Sequence, residues 1–478
     1  MQMSFPNISR VAHPFAVAAL SLAIVGALAA PRNAQASAFQ LKENSAKSMG
    51  RAFAGSATAG GDASVAVNNP AAMTELKGTY FQADVTAINF STKFSGSAHD
   101  ALGRPISGGN GGDAGTTLPV PALFVVTQLG DRWHIGGGLS VPFGFQTEYD
   151  NNWVGRYNGI KSKFESYDAT LSLSYDITDT FAVGVSGIAQ KTAAELTSAI
   201  NYNMVGLGVI QQAAAAGKIS PAQAGALAQQ VSAIVPQGSD GTARIKGDDW
   251  AYGYQVGAFW KLTPNDKFAF NYRGKISHTI EGTGNFTVPT NVQALLSNPT
   301  VGALLGGGVP FQHTTGTAAF ATPATAGLSF WHQDEKFGLG MDLSWTQWSE
   351  FKKLQVNFAN SAQPPSAENY QWKNSWFASI GGDYYLDDKI TLRSGIAIDT
   401  TPTHASTRSP RVPDSTRKWL AFGVGYKASK NFELNASYVH VFVNSAHMNG
   451  AVSSTGDVLT GESDDYGNLL SISAQYKF

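Results

Sequence analysis

The sequence predicts an all-β membrane protein: an antiparallel transmembrane β-barrel of about fourteen strands with an N-terminal hatch, or plug, inside its lumen. Three observations carry this. Only 14% of the 478 residues are charged while mean hydropathy is slightly polar, and no run of ~20 apolar residues, the length a spanning helix needs, occurs after residue 36. Glycine and aromatic residues are abundant (Gly 51, Phe 27, Tyr 16, Trp 10), as expected where aromatic girdles mark two membrane interfaces. Long segments alternate apolar and polar side chains with period two.

Composition is even from residue 78 to the end, with no charged or Pro-rich linker, so one large unit is expected. The net charge of −1 and the lack of a Lys/Arg stripe offer no phosphate footprint, which excludes nucleic acid as a partner. Cysteine is absent. That excludes disulfides, thiolate metal sites and cysteine nucleophiles, and suits a chain exported through an oxidising periplasm. No metal or cofactor is expected.

At the N-terminus, Arg10 starts a short basic region, an apolar stretch runs from Phe15 to Ala30, and Ala34-Gln35-Ala36 has the small-x-small pattern of a signal-peptidase site. Residues 1–36 therefore read as a signal peptide and Ser37 as the mature start. A retained membrane anchor is the alternative, opposed by the short apolar core and by His13-Pro14 near its beginning.

Residues 37–77 are rich in Gly and Ala and need a container, which makes them the hatch. Within them, Ser45 to Ala54 places Ala46, Met49, Ala52 and Phe53 on one face of a short helix and Lys47 and Arg51 on the other, with Gly55 ending it. Pro70 forces Asn69 out of the helical region, so Asn68-Asn69-Pro70-Ala71 reads as a turn. The glycines around Gly60-Gly61-Asp62 are not a phosphate loop, since the G-x-x-x-x-G-K-[ST] pattern is absent and no strand precedes them.

Residues 78–478 are expected to form the barrel. Tyr167, Ala169, Leu171, Leu173, Tyr175 and Ile177 alternate with Asp168, Thr170, Ser172, Ser174 and Asp176, and the same pattern recurs through Phe337 to Thr346 and Phe432 to Tyr438. A soluble sandwich would also alternate. The decision rests on two further features. Leu470, Ile472, Ala474, Tyr476 and Phe478 make an alternating last strand ending in an aromatic residue, which resembles the assembly signal of outer-membrane barrels. Short turns at Gly130-Asp131, Asp176 to Asp179, Pro264 to Asp266, Gln333 to Glu335, Asp387-Asp388 and Lys430-Asn431 alternate with long connections, as a barrel with two unlike rims requires.

Two long loops are unusual for a polar-solute porin. The 201–241 loop reads as a helical pair, the second helix opened by Ser220-Pro221 and closed before Pro236, with Ala224, Leu227, Val231 and Ile234 on one face. The 288–313 loop adds Val292, Leu295, Leu296, Val301, Leu304 and Leu305. These helices either pack on each other as a lid or expose a greasy landing patch. The third strand, His134 to Phe145, carries Gly136-Gly137-Gly138, Pro142 and Gly144, so it should bend or bulge. Eased curvature alone is the simpler role for that bulge.

Ser37 to Leu41, Gly50 to Gly55, Asn69-Pro70-Ala71, Trp345 to Phe351, Gly395 to Asp399, Pro413-Asp414 with Trp419 and the terminal Phe478 resemble, in the same order, motifs of the FadL family, outer-membrane transport proteins for long-chain fatty acids and other hydrophobic compounds. The resemblance covers nearly the whole mature chain. It implies a fourteen-stranded barrel in the outer membrane of a Gram-negative bacterium, surrounded by outer-membrane lipid and handed to the barrel-assembly machinery through Phe478. It implies facilitated diffusion of a long-chain fatty acid or related hydrophobic molecule, with Phe39, Leu41, Asn69, Pro70 and Ala71 in the gating plug. A kink at Pro142, Phe143 and Gly144 would open the wall sideways. Family members meet the ligand carboxylate with basic side chains, and here the aligned positions are the neutral Ser198 and Gln355. Lys353, two residues before Gln355, or Lys191 would have to substitute. Without them the pocket would favour uncharged aromatic or aliphatic hydrocarbons.

Two other functions compete. A lipid hydrolase would need a Ser, a His and an orienting polar group, but no G-x-S-x-G occurs and the nine histidines sit mostly in loops, as His99, His404 and His447 do, so no enzyme is expected. A general diffusion porin is the stronger rival and would lack the plug.

Overall fold

The computed structural model describes residues 38–296 and 309–478. The proposed signal peptide, Ser37, and Val301, Leu304 and Leu305 of the second long loop lie outside the described residues.

Fourteen strands close on themselves: β1 (Thr79–His99), β2 (Thr117–Leu129), β3 (Trp133–Glu148), β4 (Lys161–Asp176), β5 (Phe181–Asn201), β6 (Asp240–Lys261), β7 (Asp266–Arg273 and Ile276–Phe286), β8 (Thr314–Thr322 and Thr325–Gln333), β9 (Phe337–Thr346 and Lys353–Phe358), β10 (Ser366–Asn369 and Ser375–Tyr385), β11 (Ile390–Asp399), β12 (Arg417–Lys427), β13 (Phe432–Val443 and Ala446–Val452) and β14 (Val458–Lys477). Every neighbour pair is antiparallel, and β1 closes on β14 from Tyr80↔Lys477 to His99↔Val458. Closure has a physical cause: an open edge in hydrocarbon would leave N–H and C=O groups unpaired at several kcal/mol each.

The alternation places Ser172, Ser174 and Asp168 inside and Leu171, Leu173 and Tyr167 outside on β4. Exposed aromatic residues mark two rims. Trp133, with the half-buried Tyr175 packed on it, and Trp260, Tyr384 and Tyr476 lie beside the short turns, and Tyr167, Trp250, Trp376 and Tyr466 lie further along the same wall. From Tyr167 to Tyr175 is about 26 Å along the strand at ~3.3 Å per residue. With the usual tilt of ~40° this gives an apolar belt of about 20 Å, close to the ~25 Å of outer-membrane barrels. No helix among the described residues is long and apolar enough to cross a membrane.

The hatch fills the lumen with little regular structure. Helix α1 (Ala46–Met49) starts at Ser45, whose side chain accepts from the Ser48 N–H, and the Ala46 N–H is received by Asp84 of β1 at 2.9 Å. The helix expected through Ala54 stops early: Ala52 and Phe53 adopt φ of 51° and 65°. The turn carries Arg51 to Asp383 of β10, 3.1 Å away. Glycine in the wall permits this approach, since a Cβ at Gly381 or Gly395 would lie 2.4 or 2.2 Å from the Arg51 carbonyl. Helix α2 (Val65–Asn68) and a 3-10 turn (Pro70–Glu75) complete the hatch.

Ion pairs fix the hatch body to the wall at several points: Arg51 to Asp383, Lys47 to Glu433 of β13 at 2.9 Å, and Glu75 to Lys261 at 2.9 Å and to Lys267. Arg51 and Asp383 are almost wholly buried, so removing one charge strands the other. Asp383→Ala is therefore expected to cost about 3–5 kcal/mol, read as a lower urea midpoint of the detergent-solubilised protein. An unchanged midpoint would mean the hatch body is not held there.

Outside, α3 (Tyr202–Ala215), α4 (Pro221–Ile234) and α5 (Thr290–Leu296) pack together. The Ser220–Gln223 capping box opens α4. Val231, Ile210, Val292 and Leu295 form a common core, with Leu227, Ala224 and Ile234 half-buried around it. The apolar face of α4 is thus largely spent within the loops, as in a lid.

Candidate functional site

The site is built around the first described residues, 38–42, an extended strap leading into the hatch. Its anchor is a clamp: the Ala38 N–H donates to Asp414 at 3.1 Å, while Arg417 donates to the Ala38 carbonyl and pairs with Asp414 at 2.8 Å. The strap then adds itself to β3. The Leu41 N–H donates to the Pro142 carbonyl at 2.8 Å and the Gly144 N–H to the Phe39 carbonyl at 2.9 Å, with Gln40 opposite Phe143. Thr346 of β9 donates to the Gln40 side chain at 2.8 Å.

β3 has a free edge there for two reasons. The first is the expected bulge. Ser140 pairs with Asp168 but Phe143 with Ser166, so Val141 and Pro142 together face Tyr167 alone. The second lies on the neighbouring strand. Pairing between β2 and β3 ends at Leu123↔Leu139 and main-chain contact returns only where the Glu148 N–H donates to Ala114 at 2.9 Å. Between these points runs a slot in the wall.

Pro119 and Pro121 line that slot on β2. The bonds from Gln128 N–H to Gly78 and from Phe90 N–H to Thr116, with the β1–β2 register, put even-numbered β2 residues in the hydrogen-bonded pairs with β1. Residues 119 and 121 therefore turn their main-chain nitrogen toward β3, and proline has no proton to give there. Between residues 119 and 121 the slot edge of β2 offers carbonyls only.

An apolar cavity of about 380 Å³ connects strap and slot. Phe39 and Leu41 line it from the strap, Leu118, Val120 and both slot prolines from β2, Gly144 and Phe145 from β3, Trp419 from β12 and Leu469 from β14. Phe39 is the hub of an aromatic cluster, with ring centroids 4.7 Å from Trp348, 5.0 Å from Phe164 and 5.2 Å from Phe145. Beyond this cluster, toward the loops, a second cavity of about 410 Å³ lies between α3 and the upper barrel, lined by Met204, Phe286, Phe311 and Phe358 among others. Burial raises the Glu43 carboxyl above its ordinary range where it lines the inner cavity, and lowers the Lys42 ammonium beside it.

The candidate residues from the sequence separate into groups. Phe39, Leu41 and Gly144 line the inner cavity, and Pro142 and Phe143 hold the strap to the bulge. Asn69, Pro70 and Ala71 do not line it; they are fully buried where the hatch docks. Asn69 donates to the Ala258 carbonyl of β6 at 3.2 Å, and a Cβ at Gly257 would lie 1.9 Å from its side-chain oxygen. Lys353 is exposed and bonds Gln355 at 2.6 Å, away from the cavity. Lys191 faces outward, paired with Asp248 at 2.6 Å and set over Trp250. Ser198 lines the outer cavity. The cations that do reach the inner cavity are Lys163, Arg411 and Arg417. The two arginines flank Pro413-Asp414 in the segment Arg-Val-Pro-Asp-Ser-Thr-Arg, so their signal lay beside a motif already noticed.

His99 and His447 stand on the outer ends of β1 and β13 rather than in loops. His278 stands between the Thr192 hydroxyl (3.2 Å) and Asp249 (3.1 Å), but its side chain is wholly enclosed in the wall and lines neither cavity.

Comparison with known proteins agrees with this architecture. Residues 27–478 match the family described as outer membrane protein transport protein (OMPP1/FadL/TodX). The long-chain fatty acid transport protein of Escherichia coli K12 is 27% identical over 435 residues, covering 88% of this chain and 91% of that protein. The crystal structure of a Pseudomonas aeruginosa FadL homologue superposes with a TM-score of 0.82 at 29% identity, covering 92% of this chain and all of the other. The Pseudomonas putida toluene transporter TodX shares the fold, with a TM-score of 0.65 at 18% identity over 92% of this chain and 100% of its own. The match along almost the whole chain, on a closed fourteen-stranded outer-membrane barrel with its hatch inside, makes the protein a member of the OMPP1/FadL/TodX family of outer membrane transport proteins.

Proposed function

We propose that the protein carries long-chain fatty acids and related hydrophobic molecules across the outer membrane by energy-independent facilitated diffusion. Ligand collects in the outer cavity, passes the aromatic cluster into the inner cavity, and leaves sideways through the slot when the strap shifts. The observation that carries this reading is the continuity of one apolar cavity from strap to slot. A chain burying about 300 Å² of apolar surface there gains about 7 kcal/mol at ~25 cal/mol per Å², enough for capture without a charge pair.

The test is expression in cells lacking their own long-chain fatty acid transporter, with uptake of labelled fatty acid, alongside swelling of liposomes holding the purified protein in small sugars. Restored uptake with no sugar-driven swelling is expected. Rapid swelling would make the protein a diffusion porin.

A further inference from the structure

Arg411 is the one side chain that lines the outer cavity, the inner cavity and a small apolar chamber of about 50 Å³ that shares lining residues with both, among those described for these three spaces. Its backbone is fixed, because Thr147 donates to its carbonyl at 3.0 Å and Tyr149 to that of Pro410 at 2.9 Å. Its guanidinium is buried and held by Glu368 at 2.7 Å and by Ser162 at 3.1 Å. Glu368 is placed differently. It lines the outer cavity only, and its side chain keeps 27% of its exposure.

We propose that Arg411 is a head-group station between the two cavities, with Glu368 as its resting occupant, and that an incoming carboxylate exchanges with Glu368 to pass inward. The proposal rests on the transport reading above and adds which head group the passage admits. A buried guanidinium stripped of its carboxylate is costly, so the latch stays shut against a ligand that brings no charge. A fatty acid supplies a replacement carboxylate, able to accept from the Arg411 Nε–H that Glu368 now holds at 2.7 Å. The displaced Glu368 turns toward the outer cavity, where it regains water. A long-chain alcohol cannot make that exchange, and the site rejects it through the unpaired cation it would leave behind.

The experiment compares uptake of a long-chain fatty acid with that of the alcohol of equal length, in Arg411→Met and Glu368→Gln, at matched surface levels. Arg411→Met is expected to lower fatty acid uptake at least tenfold and to leave alcohol uptake unchanged or raised. Glu368→Gln, at the more exposed partner and so the safer variant for folding, is expected to tighten fatty acid binding to the purified protein at least fivefold, read by tryptophan fluorescence, without tightening alcohol binding. Equal effects on acid and alcohol, or none on either, in Glu368→Gln would overturn the station whatever Arg411→Met does. If the unaltered protein takes up neither compound, the transport reading fails instead.

Discussion

Pro119→Val combined with Pro121→Val is expected to reduce hydrophobic uptake at least tenfold while the barrel still assembles. The double change returns two N–H donors to the β2 edge that borders the slot. In a lipid environment an unsatisfied amide costs several kcal/mol, so these donors must find carbonyls on β3. Pairing draws the strands together and narrows the slot beside the inner cavity. Stability should hold or rise, because the change adds ladder bonds rather than removing them. Surface amount and the heat-modified gel mobility of folded barrels check assembly, and labelled fatty acid checks transport. Wild-type uptake by a correctly assembled variant would show that these prolines do not keep the wall open.

Much of this was legible in the sequence, and the part that was not has identifiable causes. Period-two alternation and short turns located the strands, because a wall with lipid on one side and a polar lumen on the other admits no other pattern. The bulge at Pro142 was legible for the same reason, since proline and glycine inside a strand are local rules. Pro119 and Pro121 obey that rule equally well. Their meaning was hidden because it depends on which neighbour each main-chain nitrogen faces, and register does not show in one strand alone. Asn69-Pro70-Ala71 is a different case. The turn was legible, its gating role came from likeness, and the contact it shows is packing against Gly257 rather than a place on the cavity. The hatch helix ended at Met49 instead of Ala54 because Arg51 is drawn to Asp383, 332 residues away. Lys353 and Lys191 were considered for their charge, yet charge says nothing about the direction a side chain takes. Arg411 stands two residues before the Pro413-Asp414 motif, but only folding brings it to Glu368 and to the junction of two cavities.

The strap is the moving part in this account, and the chain's lack of cysteine allows it to be fastened at will. Gln40 and Phe143 face each other across the strap and β3, with the bonds from Leu41 to Pro142 and from Gly144 to Phe39 on either side of them. That makes them a pair of the non-hydrogen-bonded kind, whose Cα atoms stand about 4.5 Å apart, within disulfide reach. A protein carrying Gln40→Cys and Phe143→Cys should take up fatty acid when reduced, and oxidation should lower its uptake at least tenfold, reversibly. Equal uptake in the oxidised and reduced states, with the disulfide verified by mass, would contradict a strap that must leave β3 for ligand to pass.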